Sequence, residues 1–170
     1  NITVLFRHRI QALMQKTIDG LDVDQARNEV EPFVSNPAVL EFTGSSTDTL
    51  LEGVTLGNTG TSGGTAIRIS GGAVPVIRHN ILNGGNGGSS NAMEVNGAAP
   101  HIESNALFGG DAAAGESRAL SLINAGGTEL INNALKAGNG GEVCGLYLES
   151  SSNVRIENNT IAGGNTHSSR

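Results

Sequence analysis

Apolar and polar positions alternate along this chain in short bursts, and the bursts recur. Four segments superimpose: VIRHNILNGG (76–85), HIESNALFGG (101–110), ELINNALKAG (129–138) and RIENNTIAGG (155–164). An earlier segment, LLEGVTLGN (50–58), matches with Val54 where the others carry Asn. The leading apolar position falls at Leu51, Ile77, Ile102, Leu130 and Ile156, in steps of 26, 25, 28 and 26 residues. Between these segments lies a second recurring burst: VLEF (39–42), AIRI (66–69), AMEV (92–95), ALSL (119–122) and GLYL (145–148). Period-two alternation in runs this short predicts strands, two to a coil. Gly-rich joints such as GGNGGSS (84–90) connect them and vary in length, which explains the drift of the period.

A strand–turn–strand unit of this size cannot cover its own apolar face. Stacking successive copies in register buries those faces as one continuous core. Alternation then sorts the columns. Leu51, Ile77, Ile102, Leu130 and Ile156 point inward, as do Leu56, Leu82, Leu107, Leu135 and Ile161. From the other strand come Leu40, Ile67, Met93, Leu120 and Leu146, then Phe42, Ile69, Val95, Leu122 and Leu148. Asn80, Asn105, Asn133 and Asn159 share one column at a bend, where stacked amides can bond one another and the neighbouring backbone.

The x-I-x-x-N-x-I-x-G-G pattern, over residues 37–164, resembles the parallel β-helix repeat of the pectin-lyase-like superfamily. The resemblance implies an all-β, right-handed parallel β-helix of about five to six coils of about 26 residues, with Asn80, Asn105, Asn133 and Asn159 as an asparagine ladder. That superfamily contains lyases, hydrolases, tailspikes, adhesins and proteins without known activity, so fold alone does not choose a function.

Composition fits thin stacked layers. The chain has no Trp, one Tyr and four Phe, so Ile, Leu, Val and Ala must fill the core. Its 25 Gly, without a Gly-X-Y period, point to many tight turns. A net charge of −6 with no basic stripe argues against nucleic-acid binding. No apolar run is long enough to predict a transmembrane segment. The single cysteine, Cys144, has no intramolecular partner, and its default is a buried small side chain.

Residues 1–36 form a separate expectation: an N-terminal cap and first coil, with a strand at 2–6, a short capping helix at 9–16 and a strand at 17–23. Residues 37–170 carry the repeats, and the array is expected to be truncated at its C-terminal end, because the second strand of the last coil is missing. That end is a candidate contact for another protein chain or for self-association.

Candidate chemistry is sparse. Glu41, Arg68 and Glu94 occupy successive places in one outward column, continued by Ser121 and Tyr147; Glu52, Arg78 and Glu103 occupy another. Glu41 and Glu94 flank Arg68 and are the candidate acid pair for sugar chemistry, set against simple ion pairing between neighbouring strands. Asp19, Asp22 and Asp24 are the candidate calcium ligands, set against a solvated acidic loop. His8, His79, His101 and His167 share no column, so no zinc site is expected, and no cofactor is implied. The leading expectation is a non-enzymatic structural or interaction module, exported to the bacterial surface or periplasm. The alternative is a polysaccharide lyase or hydrolase, or a glycan-binding module, with polysaccharide as the partner.

Overall fold

The computed structural model describes residues 38–44, 49–60 and 64–166. They form a parallel β-solenoid of five coils, with three strands in each. The first coil holds β1 (Ala38–Thr43), β2 (Leu50–Glu52) and β3 (Thr55–Gly57). The second holds β4 (Gly64–Ser70), β5 (Val76–Arg78) and β6 (Ile81–Asn83), and the third β7 (Ser90–Asn96), β8 (His101–Glu103) and β9 (Ala106–Phe108). The fourth holds β10 (Glu116–Ile123), β11 (Glu129–Ile131) and β12 (Ala134–Lys136), and the fifth β13 (Glu142–Glu149), β14 (Arg155–Glu157) and β15 (Thr160–Ala162).

Every strand pairs with its counterpart one coil away, giving three five-stranded parallel sheets. Sheet A is β1-β4-β7-β10-β13, sheet B is β2-β5-β8-β11-β14, and sheet C is β3-β6-β9-β12-β15. The register follows the columns read from the sequence: Leu40 meets Ile67, Ile67 meets Met93, Met93 meets Leu120, and Leu120 meets Leu146.

The expected two strands per coil become three because the I-x-x-N-x-I segment breaks at its middle. One residue there adopts a left-handed backbone in every coil: Gly53 (φ 69°), His79 (55°), Ser104 (54°), Asn132 (57°) and Asn158 (54°). A non-glycine residue in this region is disfavoured, so four consecutive coils repeating it marks a bend that the surrounding bonds hold in place. The bend turns the chain from sheet B into sheet C and puts the following Asn inside the corner.

Inward side chains stack as expected. Ile67, Met93, Leu120, Ile77, Ile102, Leu130, Leu82 and Leu107 are wholly buried. A further column, Ala66, Ala92, Ala119 and Gly145, is small for a steric reason. Sheet A packs against sheet C here, and a Cβ at Gly145 would meet the Ile161 side chain and the Ala162 carbonyl. At the last described coil the inward columns are uncovered: Leu148, Ile156 and Ile161 are 42%, 43% and 45% exposed. They occupy the places expected of them, but no described strand lies beyond them.

The calls on residues 1–36, including the capping helix at 9–16 and the acidic residues Asp19, Asp22 and Asp24, lie outside the described residues.

Burial of a column depends on having a coil on both sides, so equivalent positions should differ in cost. Leu120→Ala, in the middle of the stack, is expected to destabilise by about 2–5 kcal/mol. Ile156→Ala should cost clearly less. Equal losses in urea-induced unfolding would contradict this account of the core.

Candidate functional site

The first candidate lies on the outward face of sheet A. Register brings Glu41, Arg68 and Glu94 onto three adjacent strands. Arg68 Nη1 donates to Glu41 Oε1 at 3.2 Å, and Arg68 Nη2 donates to Glu94 Oε2 at 3.3 Å. The guanidinium therefore spans both carboxylates. A glycosidase pair needs an acid and a base free to exchange protons with substrate. Here both carboxylates are held by one guanidinium, an arrangement suited to tying strands together. The three side chains are partly exposed, so each link is worth about 0–1 kcal/mol.

The column continues through Ser121 and Tyr147. Ser121 faces outward yet is 1% exposed, and its Oγ is buried with no hydrogen-bond partner, as is Oδ1 of Asn91 on the neighbouring strand β7. Arg118 lies over the Tyr147 ring at 3.8 Å and pairs with Glu116 at 2.8 Å. Cys144 registers with Arg118 and is only half-buried, more open than its expected core position; burial pushes its thiol pKa up, away from the reactive thiolate.

On sheet B the outward charges pair along the stack, but not as strict alternation predicts. Arg78 Nη2 bonds Glu52 at 3.2 Å, and His79 Nδ1 lies 3.1 Å from the same carboxylate. Glu103 is the register partner of Arg78 but forms no ion pair with it; it lies 3.3 Å from His101 Nε2. His101 Nδ1 lies 2.7 Å from Glu129, which also bonds Arg155 at 3.3 Å, while Arg155 holds Glu157 through Nε at 2.7 Å. Arg78 and His79 hold Glu52 below the usual carboxylate range; His101 and Arg155 do so for Glu129, and Arg155 for Glu157. Among the described residues, no group of three or more His, Cys, Asp or Glu is placed to hold a metal ion.

The Asn column is an internal ladder. Asn105 Nδ2 donates to the Ile77 carbonyl at 2.8 Å, and its Oδ1 accepts both the backbone N–H of Asn80 at 3.0 Å and Asn80 Nδ2 at 3.0 Å. Asn133 repeats this one coil on, with its Nδ2 donating to Ile102 O at 2.9 Å and its Oδ1 accepting Asn105 N at 2.9 Å. Asn159 does the same for Leu130 O and Asn133 N, at 2.7 and 2.8 Å. Asn80, Asn105 and Asn133 are each 2% exposed. The bonding capacity of Asn80, Asn105 and Asn133 is spent inside the corner, away from solvent.

Sequence reasoning missed a second polar column. The residue after Gly85, Gly110, Gly138 and Gly164, at Asn86, Asp111, Asn139 and Asn165, stacks on the surface at the corner between sheets C and A. Asn86 Oδ1 accepts the Asp111 N–H at 3.0 Å, Asp111 Oδ1 accepts the N–H and Nδ2 of Asn139 at 2.9 Å, and Asn139 Oδ1 accepts from Asn165 Nδ2 at 3.1 Å. Buried serines support the corner from within: Ser90 Oγ accepts the Gly110 N–H, and Ser117 Oγ accepts the Gly138 N–H, each at 2.8 Å. Glycine is required because the coils nearly touch. A Cβ at Gly110 would collide with the carbonyls of Gly84 and Gly85, and one at Gly138 with those of Gly109 and Gly110. Beside this column opens a cavity of about 550 Å³, lined by Phe108, Asp111, Lys136, Asn139, Asn165 and the corner glycines. The available signal was the acceptor side chain recurring after the closing glycine of each segment, with Asp111 replacing Asn in one coil.

Compared with known proteins, the chain matches no family model, no curated protein and no solved structure.

Two predictions test these columns. Asn105→Ala leaves the Asn80 N–H and the Ile77 carbonyl buried and unpaired, at about 1–3 kcal/mol for each such group. A total loss of about 2 kcal/mol or more is expected in chemical denaturation; a loss within error of zero would mean the ladder is dispensable. The paired carboxylates set the acid limit. Their folded pKa values lie below the ordinary value of 4.5, so their contribution is fully present above 4.5 and is lost as pH falls through the folded values. Thermal unfolding midpoints should fall below pH 4.5, and less steeply in a Glu52→Gln, Glu129→Gln, Glu157→Gln variant. Identical slopes would remove these pairs from the explanation.

Proposed function

We propose that this chain is a non-catalytic scaffold and interaction module of the pectin-lyase-like superfamily, exported to the bacterial surface or periplasm. The observation that carries the reading is Arg68 bonded to both Glu41 and Glu94. The carboxylates best placed by sequence for sugar chemistry are committed to holding three neighbouring strands together. On sheet B the Arg155–Glu129 pair links β14 to β11 in the same way. Bonds of this kind run along the solenoid axis and stiffen the stack, as a spacer or presenting surface requires. Support for the superfamily assignment comes from the parallel coils of about 26 residues and the buried Asn column at a left-handed bend.

The experiment is a turnover screen. The purified chain is incubated with neutral and acidic polysaccharides, with and without calcium, and both reducing ends and unsaturated products are measured. No turnover is expected, and Glu94→Gln should change only stability, by about 1 kcal/mol or less. Turnover in the parent chain that disappears in Glu94→Gln would overturn the scaffold reading.

A further inference from the structure

Four Asn-Gly dipeptides fall among the described residues: Asn83-Gly84, Asn86-Gly87, Asn96-Gly97 and Asn139-Gly140. Asparagine before glycine loses its side-chain amide readily, because no Cβ shields the glycine nitrogen from the asparagine Cγ. The reaction needs a glycine nitrogen able to shed its proton, an amide side chain free to turn, and room for a five-membered ring and a water molecule.

The first requirement does not separate the four sites. Each glycine N–H donates to a carbonyl one coil on: Gly84 to Phe108 at 2.8 Å, Gly87 to Asp111 and Gly97 to Ile123 at 3.0 Å, and Gly140 to Asn165 at 3.1 Å. Proton loss at any of them waits on local opening of that bond. The other two requirements do separate them. Asn86 Oδ1 accepts the Asp111 N–H at 3.0 Å, and Asn139 Nδ2 donates to Asp111 Oδ1 at 2.9 Å, so both side chains are tied into the outer row. Asn83 carries no such tie, but Gly84 is closely packed: a Cβ there would meet Ser90 Oγ and the Asn91 carbonyl. Gly140 is crowded in the same way by the Gly115 carbonyl. Asn96 differs on both counts. It ends β7 with an exposed side chain that has no hydrogen bond among the described residues. Gly97 follows in the left-handed region (φ 62°), and a Cβ there would meet nothing within 4 Å.

We propose that Asn96 is a site of spontaneous deamidation in the folded protein. The Gly97 nitrogen bonds to Asn96 Cγ, the Cγ–Nδ2 bond breaks, and Nδ2 leaves as ammonia with the proton that the glycine nitrogen gives up. Water then adds across one of the two C–N bonds of the cyclic imide. The product is aspartate or, where the main chain is rerouted through the side chain, isoaspartate. Neither step changes an oxidation state, and water is the co-reactant. Asn96 is in register with Ser70 on one side and Ile123 on the other, so either product sets a carboxylate between two uncharged neighbours. Isoaspartate also lengthens the backbone by one methylene where the third coil leaves sheet A, at a level that stacking requires to match.

Peptide mapping by mass spectrometry tests this on the folded chain, held in mildly alkaline buffer made with isotopically heavy water so that imide hydrolysis leaves a label. Asn96 should take up label about tenfold or more faster than Asn83, Asn86 or Asn139 in the same sample. In urea, where every protecting bond is open, the four should convert at similar rates. Asn96→Ser, which copies Ser70 of the coil before, should remove the dominant folded-state signal and leave the unfolding midpoint unchanged. Another of the four leading in the folded chain, the same preference for Asn96 in urea, or no label at Asn96 by the time the unfolded chain has converted at all four would each overturn the proposal.

Discussion

The whole structure rests on one constraint: each coil must present the same side chain at the same height as the coil beneath it. Parallel strands one coil apart share a single hydrogen-bond register, and a slip of one residue would turn every inward Leu or Ile outward. The stack tolerates no such slip. The core is one side chain deep at each level, so Leu120 is covered by Met93 on one side and Leu146 on the other. The joints absorb all the length variation. The step from Ile102 to Leu130 is 28 residues against 25 in the coil before it, yet both pairs remain in register.

Polar side chains enforce that register at the corners, where strand pairing is interrupted. At the first, the left-handed residue and the Asn after it act together. The bend frees a backbone N–H and turns a carbonyl inward, and the Asn of the next coil satisfies groups in the coil before it. Val54 shows why the column can begin without Asn: it needs only to donate its N–H to Asn80 Oδ1, at 3.0 Å. At the opposite corner the same task is divided, with Ser90 and Ser117 inside and Asn86, Asp111, Asn139 and Asn165 outside. Both corners are therefore specified by hydrogen bonds between coils, whereas the sheets between them are specified by apolar fit.

The sequence made the inward columns and the Asn ladder legible because stacking demands similar residues at each level, and similarity at a fixed step is visible in a single chain. The left-handed bend was hidden for the converse reason. It constrains backbone angle alone, and Gly53, His79, Ser104, Asn132 and Asn158 meet it with unlike side chains. The outer amide column was obscured by Asp111 and by the variable joint that follows it. Sheet B's ion pairs were misread where alternation was assumed: His101, inside the same strand as Glu103, is nearer to it than Arg78, and it also draws in Glu129. Side-chain reach, absent from a column diagram, decides such pairings.

This division of labour also decides which polar groups stay free. A polar side chain in a solenoid has two uses, bonding the next coil or meeting solvent, and the first consumes its donors and acceptors. Asn105 spends both its amide nitrogen and its oxygen within the corner, and Arg68 spends its two terminal nitrogens on Glu41 and Glu94. Chemistry directed outward must come from groups the stack leaves over. Lys136 and Asp111 are such groups: the first has no ion-pair partner, and the second commits one oxygen to Asn139 and keeps the other. Their coincidence at one cavity follows from register, since the ends of sheet C and the amides after the glycines recur together in each coil. A structural column can thus change one residue, as Asp111 changes the Asn row, without altering the coil that carries it.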